Sequence, residues 1–186
     1  MEGYLRESMM GSIKIQKDKL ITTLTSILST EAASLVSANK KVGSIALHLS
    51  SGCAGFGLSA NILENNTASQ DKLTTLENYY LYSVDEWPII YFNYDSFLEL
   101  NEKNDLFLEE LYDEGLSDEE IFEIYEDIST KALSEIKKVF DGIIFFCVQF
   151  SDASVNELNM MKVVHSKLYE HEFRGFVRFI DEQLSS

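Results

Sequence analysis

The sequence predicts a single α+β domain, in which a central, mostly antiparallel sheet of about four to five strands packs with helices. Three observations predict this class: an alternating apolar pattern over residues 42–49, a long amphipathic helical pattern after Ser117, and a nearly continuous apolar run over 143–150. The 186 residues, 45% of them apolar, suit one domain with a real core. We expect residues 1–12 to form an N-terminal arm, with disorder as one alternative for it, and residues 13–184 to form the domain.

The N-terminal third reads as a helix followed by a hairpin. Apolar residues at helical spacing predict a first helix over 13–38. Residues 42–49 and 53–60 then read as two strands joined by a turn at Ser50-Ser51-Gly52. Two antiparallel strands of this kind form the start of the predicted sheet.

The next segment is less regular. Asn65-Asn66-Thr67 can cap a short helix that runs to about Glu77. Residues 79–83 read as a strand. Residues 86–92 contain Pro88, which cannot donate to a sheet ladder, so we expect an edge strand or an irregular segment there.

Helices dominate the second half. Apolar residues over 95–113 predict one helix, or two with a break near Asn104. Ser117 and Glu120 have the spacing of a capping box, and an apolar stripe follows to Phe140 with carboxylates opposite much of it. The apolar run 143–150 predicts a strand covered on both faces. A last helical region spans about 154–183, with a break near Ser166 as an alternative.

The charge of the chain is concentrated in one stretch. The formal net charge is −16, and residues 85–129 hold 16 acids and a single base, Lys103. Such a field repels nucleic acid, whose backbone is anionic, and attracts cationic partners. The alternative is that the acids only keep the protein soluble.

The residues offer little chemistry. We expect no catalytic centre, no cofactor and no metal site, because no Cys/His cluster, HExxH pattern or phosphate-binding glycine loop occurs. Cys53 and Cys147 read as free buried thiols. An enzyme site near the 48–57 hairpin, with His48 beside Ser50, remains an alternative. The N-terminus lacks the apolar core of a signal peptide, apolar runs look too short to span a membrane, and we expect a cytoplasmic protein.

Several short motifs resemble a family of uncharacterised small bacterial proteins associated with polymorphic-toxin immunity loci. The stretches that carry the resemblance are Ser44-Ile45-Ala46-Leu47, Asn66-Thr67, Ser83-Val84-Asp85-Glu86-Trp87, and Ala132-Leu133 through Phe150-Ser151-Asp152. Together they span most of residues 14–180. The sequence departs from the pattern at Ala68-Ser69, where an acidic pair could follow Thr67.

The resemblance implies an immunity-type protein that binds and neutralises a basic bacterial toxin, such as a nuclease, encoded nearby. On this hypothesis the acidic residues and their aromatic neighbours bind the toxin, with no direct contact to nucleic acid or membrane. The candidate partner-binding residues are Asp113, Glu114, Glu119, Glu120, Glu123, Glu126, Asp127, Trp87 and Tyr91. The alternatives are a cytosolic interaction module unrelated to toxins and the enzyme described above. The oligomeric state stays open.

Overall fold

The structure is a computed structural model that describes residues 2–38, 42–62, 82–143, 145–169 and 174–185. Its elements are α1 (Glu2–Ala38), β1 (Val42–Leu49), β2 (Phe56–Ile62), α2 (Leu98–Asp113), α3 (Asp118–Val139), β3 (Phe145–Phe150), α4 (Val155–Leu168) and α5 (Arg174–Leu184). The α+β class is therefore confirmed. The helix predicted from Asn65 to Glu77 lies outside the described residues, as does most of the strand predicted at 79–83.

The sheet differs from the prediction in size and in direction. Its described part has three strands in the order β2-β1-β3, with β1 antiparallel to β2 and parallel to β3. The prediction of four to five mostly antiparallel strands is therefore wrong. Between β2 and β3 the described residues include helices α2 and α3, and a connection of this length allows β3 to run parallel to β1. The Pro88 segment is irregular and contacts β2 through an isolated bridge from Ile89 to Ala60 and a hydrogen bond from Phe92 to Leu58.

The two faces of the sheet have different chemistry. Ile45, Leu47 and Leu49 share one face of β1, because successive side chains of a strand point to opposite faces. The opposite face, which we call the polar sheet face, collects small and polar residues that the register places side by side. Its members are Ser44, Ala46, His48, Gly57, Ser59, Asn61, Cys147 and Gln149, and the aromatic Phe145 lies at one end of the face, opposite Ser44. Every residue of β1 is buried, so the rest of the chain covers both faces.

Helix α1 is longer than predicted. It begins at Glu2, so it includes residues 2–12, which were expected to belong to an N-terminal arm. Its buried leucines, Leu20, Leu24 and Leu28 among them, join the core, and Lys17 pairs with Asp127 of α3 at 2.9 Å. By length and composition, Gly11–Ala38 is apolar enough to cross a membrane, although no such segment was expected. A location in the cytoplasm stays a prediction.

The start of α3 is fixed by the predicted capping box. Ser117 Oγ accepts a hydrogen bond from the backbone N–H of Glu120 at 3.3 Å, and Glu120 Oε2 accepts one from the backbone N–H of Ser117 at 2.9 Å. Ser154 and Glu157 form the same arrangement at the start of α4. Both helices therefore begin where their own sequence satisfies backbone donors that would otherwise lack partners.

Removing the serine of the α3 cap tests this contribution. Ser117→Ala is expected to lower the free energy of unfolding by about 1 kcal/mol, because the N–H of Glu120 loses its acceptor. Urea unfolding followed by circular dichroism measures the change. Ser26→Ala, at an exposed position inside α1, is the matched control and should cause no loss. Equal losses in the two variants would contradict the role of the cap.

Helix α2 runs without the break that Asn104 suggested. Asn104 is 0% exposed, and both polar atoms of its amide form hydrogen bonds inside the protein. Its Nδ2 donates to the carbonyl oxygen of Cys53 at 2.8 Å, and its Oδ1 accepts from Tyr125 Oη at 2.7 Å. The residue that looked like a helix breaker instead ties α2 to the hairpin turn and to α3.

Candidate functional site

One candidate site lies at the carboxyl end of β1 and β3. His48 is only 1% exposed, and its Nε2 lies 2.9 Å from Tyr91 Oη and 3.2 Å from Ser151 Oγ. Ser151, which directly follows β3, donates its hydroxyl proton to Asp85 Oδ1 at 2.8 Å. We call these four residues the His48 cluster. Ligand sites of α/β proteins often lie at this edge of parallel strands.

The polar sheet face makes room for Tyr91 in this cluster. The Tyr91 ring stacks on the His48 ring with centroids 4.4 Å apart. It also lies over Gly57, where an added Cβ would come within 2.8 Å of Tyr91 Cδ1. The backbone N–H of Tyr91 donates to Ser59 Oγ at 3.3 Å, and that of Phe92 donates to the Leu58 carbonyl at 2.7 Å. A side chain at position 57 would therefore push the tyrosine away from the histidine.

His48 is a buried imidazole with three polar neighbours. Ser151 gives its single hydroxyl proton to Asp85, so it faces His48 as an acceptor. Nε2 also contacts Tyr91 Oη at 2.9 Å, and Nδ1 is buried without a hydrogen-bond partner among the described residues. Burial lowers the pKa of His48 more than the nearby carboxylate of Asp85 raises it, so the ring is neutral near pH 7.

This arrangement differs from a nucleophilic triad. A serine hydrolase needs a histidine that accepts the proton of the serine and a carboxylate on the other histidine nitrogen. Here the serine proton points to Asp85 instead, and the serine that contacts His48 is Ser151, not Ser50. The hairpin alternative therefore has a polar cluster, but one better suited to binding than to acyl transfer.

Neither the cysteines nor the potential metal ligands among the described residues form a second reactive site. Cys53 and Cys147 are free and buried, and burial raises the pKa of both thiols. A thiol that stays protonated is a poor nucleophile. Within the described part of the chain, no group of three His, Cys, Asp or Glu side chains could hold a metal ion.

The second candidate site is the carboxylate face of α3. Glu119 and Glu123 are exposed, on the side of the helix opposite Ile121, Tyr125 and Ile128, which are buried in the core. A shallow cavity of about 200 Å³ separates these acids from α4. It is lined by Glu119, Phe122, Glu123, Glu126, Asn156, Asn159, Met160 and Val163. The groove thus has carboxylates on one wall and amide and apolar groups on the other.

Two acids of α3 are neutralised by neighbouring helices. Glu126 pairs with Lys167 of α4, and Asp127 pairs with Lys17 at 2.9 Å and with Lys131 at 2.8 Å. Burial raises the pKa of Asp127, but hydrogen bonds from Lys131 and Lys17 outweigh this effect and leave it below its ordinary value. Both side chains are partly buried. They serve mainly to join α3 to its neighbours.

A further group of acids lies on α2. Glu102, Asp105 and Glu109 surround Leu106, which is 67% exposed, at a depression of about 470 Å³. At the end of the helix, Tyr112 Oη donates to Asp118 at 3.2 Å and links α2 to the start of α3. Exposed carboxylates therefore occur on both helices.

The predicted partner-binding residues fall into three groups. Asp113, Glu114, Glu119, Glu120 and Glu123 are exposed at the end of α2, in the turn and at the start of α3. Glu126 and Asp127 are held in the ion pairs described above. The two aromatic residues lie elsewhere: Tyr91, 40% exposed, belongs to the His48 cluster, and Trp87, 3% exposed, belongs to the core. Trp87 is therefore too buried to contact a partner.

Sequence reasoning missed the pairing of Asp85 with Ser151, which lie 66 positions apart. No local spacing reveals such a contact. Comparison of the chain with family models, curated proteins and solved structures finds no match.

Proposed function

We propose that this protein binds a basic protein partner through an acidic docking surface formed by Asp113, Glu114, Glu119, Glu120 and Glu123. The observation that carries the proposal is the exposure of all five carboxylates on consecutive turns, from the end of α2 to the first turns of α3. Glu119 and Glu123 make no ion pair with a described residue, and both line the groove beside α4. A cationic side chain of a partner would find uncompensated charge there.

The sequence resemblance suggests the class of partner. We propose a bacterial toxin, with a basic nuclease as the leading example, encoded near this protein and neutralised by it in the cytoplasm. A nuclease holds an anionic backbone with a basic surface, and an acidic inhibitor can occupy that surface. Opposite charges also speed association, which matters when the toxin acts quickly. The alternative, an interaction module whose acids serve solubility, predicts no preferred acidic site.

The test is the association rate with a partner that is first captured from the source cell, identified and purified. The double variant Glu119→Lys/Glu123→Lys is expected to slow association by about tenfold at low salt, because it reverses the local field. Added salt should reduce the difference, since it screens exposed charges. Stopped-flow fluorescence over a range of ionic strengths gives both quantities.

A variant with the same charge change elsewhere distinguishes binding at a local acidic site from attraction by the net charge of the protein. Asp18→Lys/Asp141→Lys changes the total charge equally, at exposed positions outside the acidic docking surface. Its association rate should stay within about twofold of the wild-type rate, because only the distant field changes. If both double variants slow association equally, net charge alone acts and the proposal fails. An unchanged rate in Glu119→Lys/Glu123→Lys would also refute it.

A further inference from the structure

Residues 91–93 form a loop that leads into the short 3-10 helix Tyr94–Phe97, and the backbone of this loop is held in an unfavourable conformation. Tyr91 has a φ of 52° and Asn93 a φ of 46°, in the left-handed region that residues other than glycine rarely adopt. Conformations of this kind cost of order 1–3 kcal/mol and persist where the surroundings impose them, often at ligand sites.

The surroundings that impose this conformation can be named. Glu31 of α1 is 7% exposed and accepts hydrogen bonds from Asn93 Nδ2 at 2.6 Å and Ser96 Oγ at 2.7 Å. On the other side, the polar sheet face holds Tyr91 through Ser59 and His48. The loop is therefore anchored at both ends and prepared before any ligand arrives.

The anchored loop presents two tyrosine rings near a carboxylate. The rings of Tyr91 and Tyr94 have centroids 5.7 Å apart and meet at 83°, and each residue is 40% exposed. Asp85 is exposed and makes no ion pair with a described residue. Ser151 Oγ donates to Asp85 Oδ1 and also contacts His48 Nε2, which in turn contacts Tyr91 Oη. The negative charge of Asp85 therefore lies near the hydroxyl end of Tyr91.

We propose that Asp85, Tyr91 and Tyr94 form a binding site for a guanidinium group, supplied by an arginine side chain of the basic partner. A planar cation stacks on a tyrosine face within about 6 Å of its centroid while donating to a carboxylate. The two rings pack edge to face and Tyr91 also stacks on His48, so the guanidinium would stack on the part of the rings that stays exposed. Guanidinium suits this geometry better than ammonium, because it is planar and more weakly hydrated.

The statement that the arginine belongs to the basic partner rests on the proposed function. The binding of a guanidinium group by Asp85, Tyr91 and Tyr94 does not. The site uses none of the five residues of the acidic docking surface. A small probe can therefore test the site alone, and the purified partner can test whether the site serves protein binding.

The probe is Nα-acetyl-arginine amide, titrated into the full chain while the ring signals of His48 are followed by NMR. We expect a saturable shift of the His48 ring signals, because the cation binds beside Tyr91, whose hydroxyl contacts the imidazole. Asp85→Asn should weaken the affinity at least about tenfold, through loss of a charge-assisted hydrogen bond. Glu86→Gln, the same charge change on the neighbouring exposed residue, should leave the affinity within about twofold.

Tyr94→Ala is the second variant, and circular dichroism checks that each variant is folded. It should weaken binding about threefold, through loss of one aromatic wall. Absence of a saturable shift in the wild type, or equal affinity in Asp85→Asn, would overturn the site. Equal affinity for Nα-acetyl-lysine amide would overturn the assignment to guanidinium.

Two further measurements separate the site from the docking surface. If Asp85→Asn loses the arginine probe but binds the purified partner as the wild type does, the site takes a free guanidinium compound and the partner assignment is wrong. If Glu119→Lys/Glu123→Lys leaves partner binding unchanged while Asp85→Asn weakens it, the docking surface fails and the arginine site stands.

Discussion

Asn104→Leu is expected to lower the free energy of unfolding by about 3 kcal/mol, because it leaves two buried polar groups without partners. The carbonyl of Cys53 loses its donor and the hydroxyl of Tyr125 loses its acceptor. Burial raises the pKa of Tyr125, so its hydroxyl stays protonated and needs that acceptor. Urea unfolding of both proteins at one pH measures the loss.

A double-mutant cycle makes this prediction specific. Tyr125→Phe alone should cost about 1–2 kcal/mol, since it leaves the Asn104 oxygen unpaired. Combined with Asn104→Leu, it should cost less than the sum of the two, because the phenylalanine leaves no hydroxyl to satisfy. Asn159→Ala, at an exposed position of α4, should change stability by less than about 0.5 kcal/mol. Additive losses would show that the two side chains do not interact.

Gly57→Ala is expected to cost about 1–3 kcal/mol, because the new methyl group overlaps the Tyr91 ring. The backbone of Tyr91 is fixed by Ser59, so the ring must turn away from His48 rather than shift with its loop. Water then reaches the imidazole, and the pKa of His48 should rise toward its ordinary value as the effect of burial weakens. Thermal unfolding and an NMR titration of the histidine measure the two effects.

Gly142→Ala provides the matched control, because a Cβ at that position meets no atom within 4 Å. Its stability and the pKa of His48 should stay at the wild-type values. The two glycines thus separate the effect of close packing from the effect of changing any glycine. A Gly57→Ala protein with an unchanged pKa of His48 would show that Tyr91 does not shield the imidazole.

The elements that sequence analysis located well are those fixed by neighbouring residues. The capping box and apolar stripe of α3 lie within one helix, and β1 has the predicted bounds, Val42–Leu49. Both depend on local hydrogen bonding and periodicity, which the sequence displays directly. Exposure of Glu119 and Glu123 follows from the same helical period.

The errors arose where distant segments decide the outcome. Asn104 has the polarity of a surface or turn residue, and only its contacts with Cys53 and Tyr125 explain why it lies inside a helix. The direction of β3 depends on pairing with β1, and no local pattern encodes that pairing. Trp87 was predicted to contact a partner because it lies among tyrosines and acids in the sequence, but it is 3% exposed and belongs to the core. The His48 cluster was missed for the same reason, since its members meet only in three dimensions.

The parallel pairing of β1 with β3 has a consequence for synthesis of the chain. His48 and Ser151 meet across 103 positions, so most of the protein must leave the ribosome before β1 gains its second neighbour. Until then, one edge of a strand with eight buried residues stays open to other chains. Nascent copies that stall before residue 145 should therefore depend on chaperones, whereas the completed chain closes that edge itself.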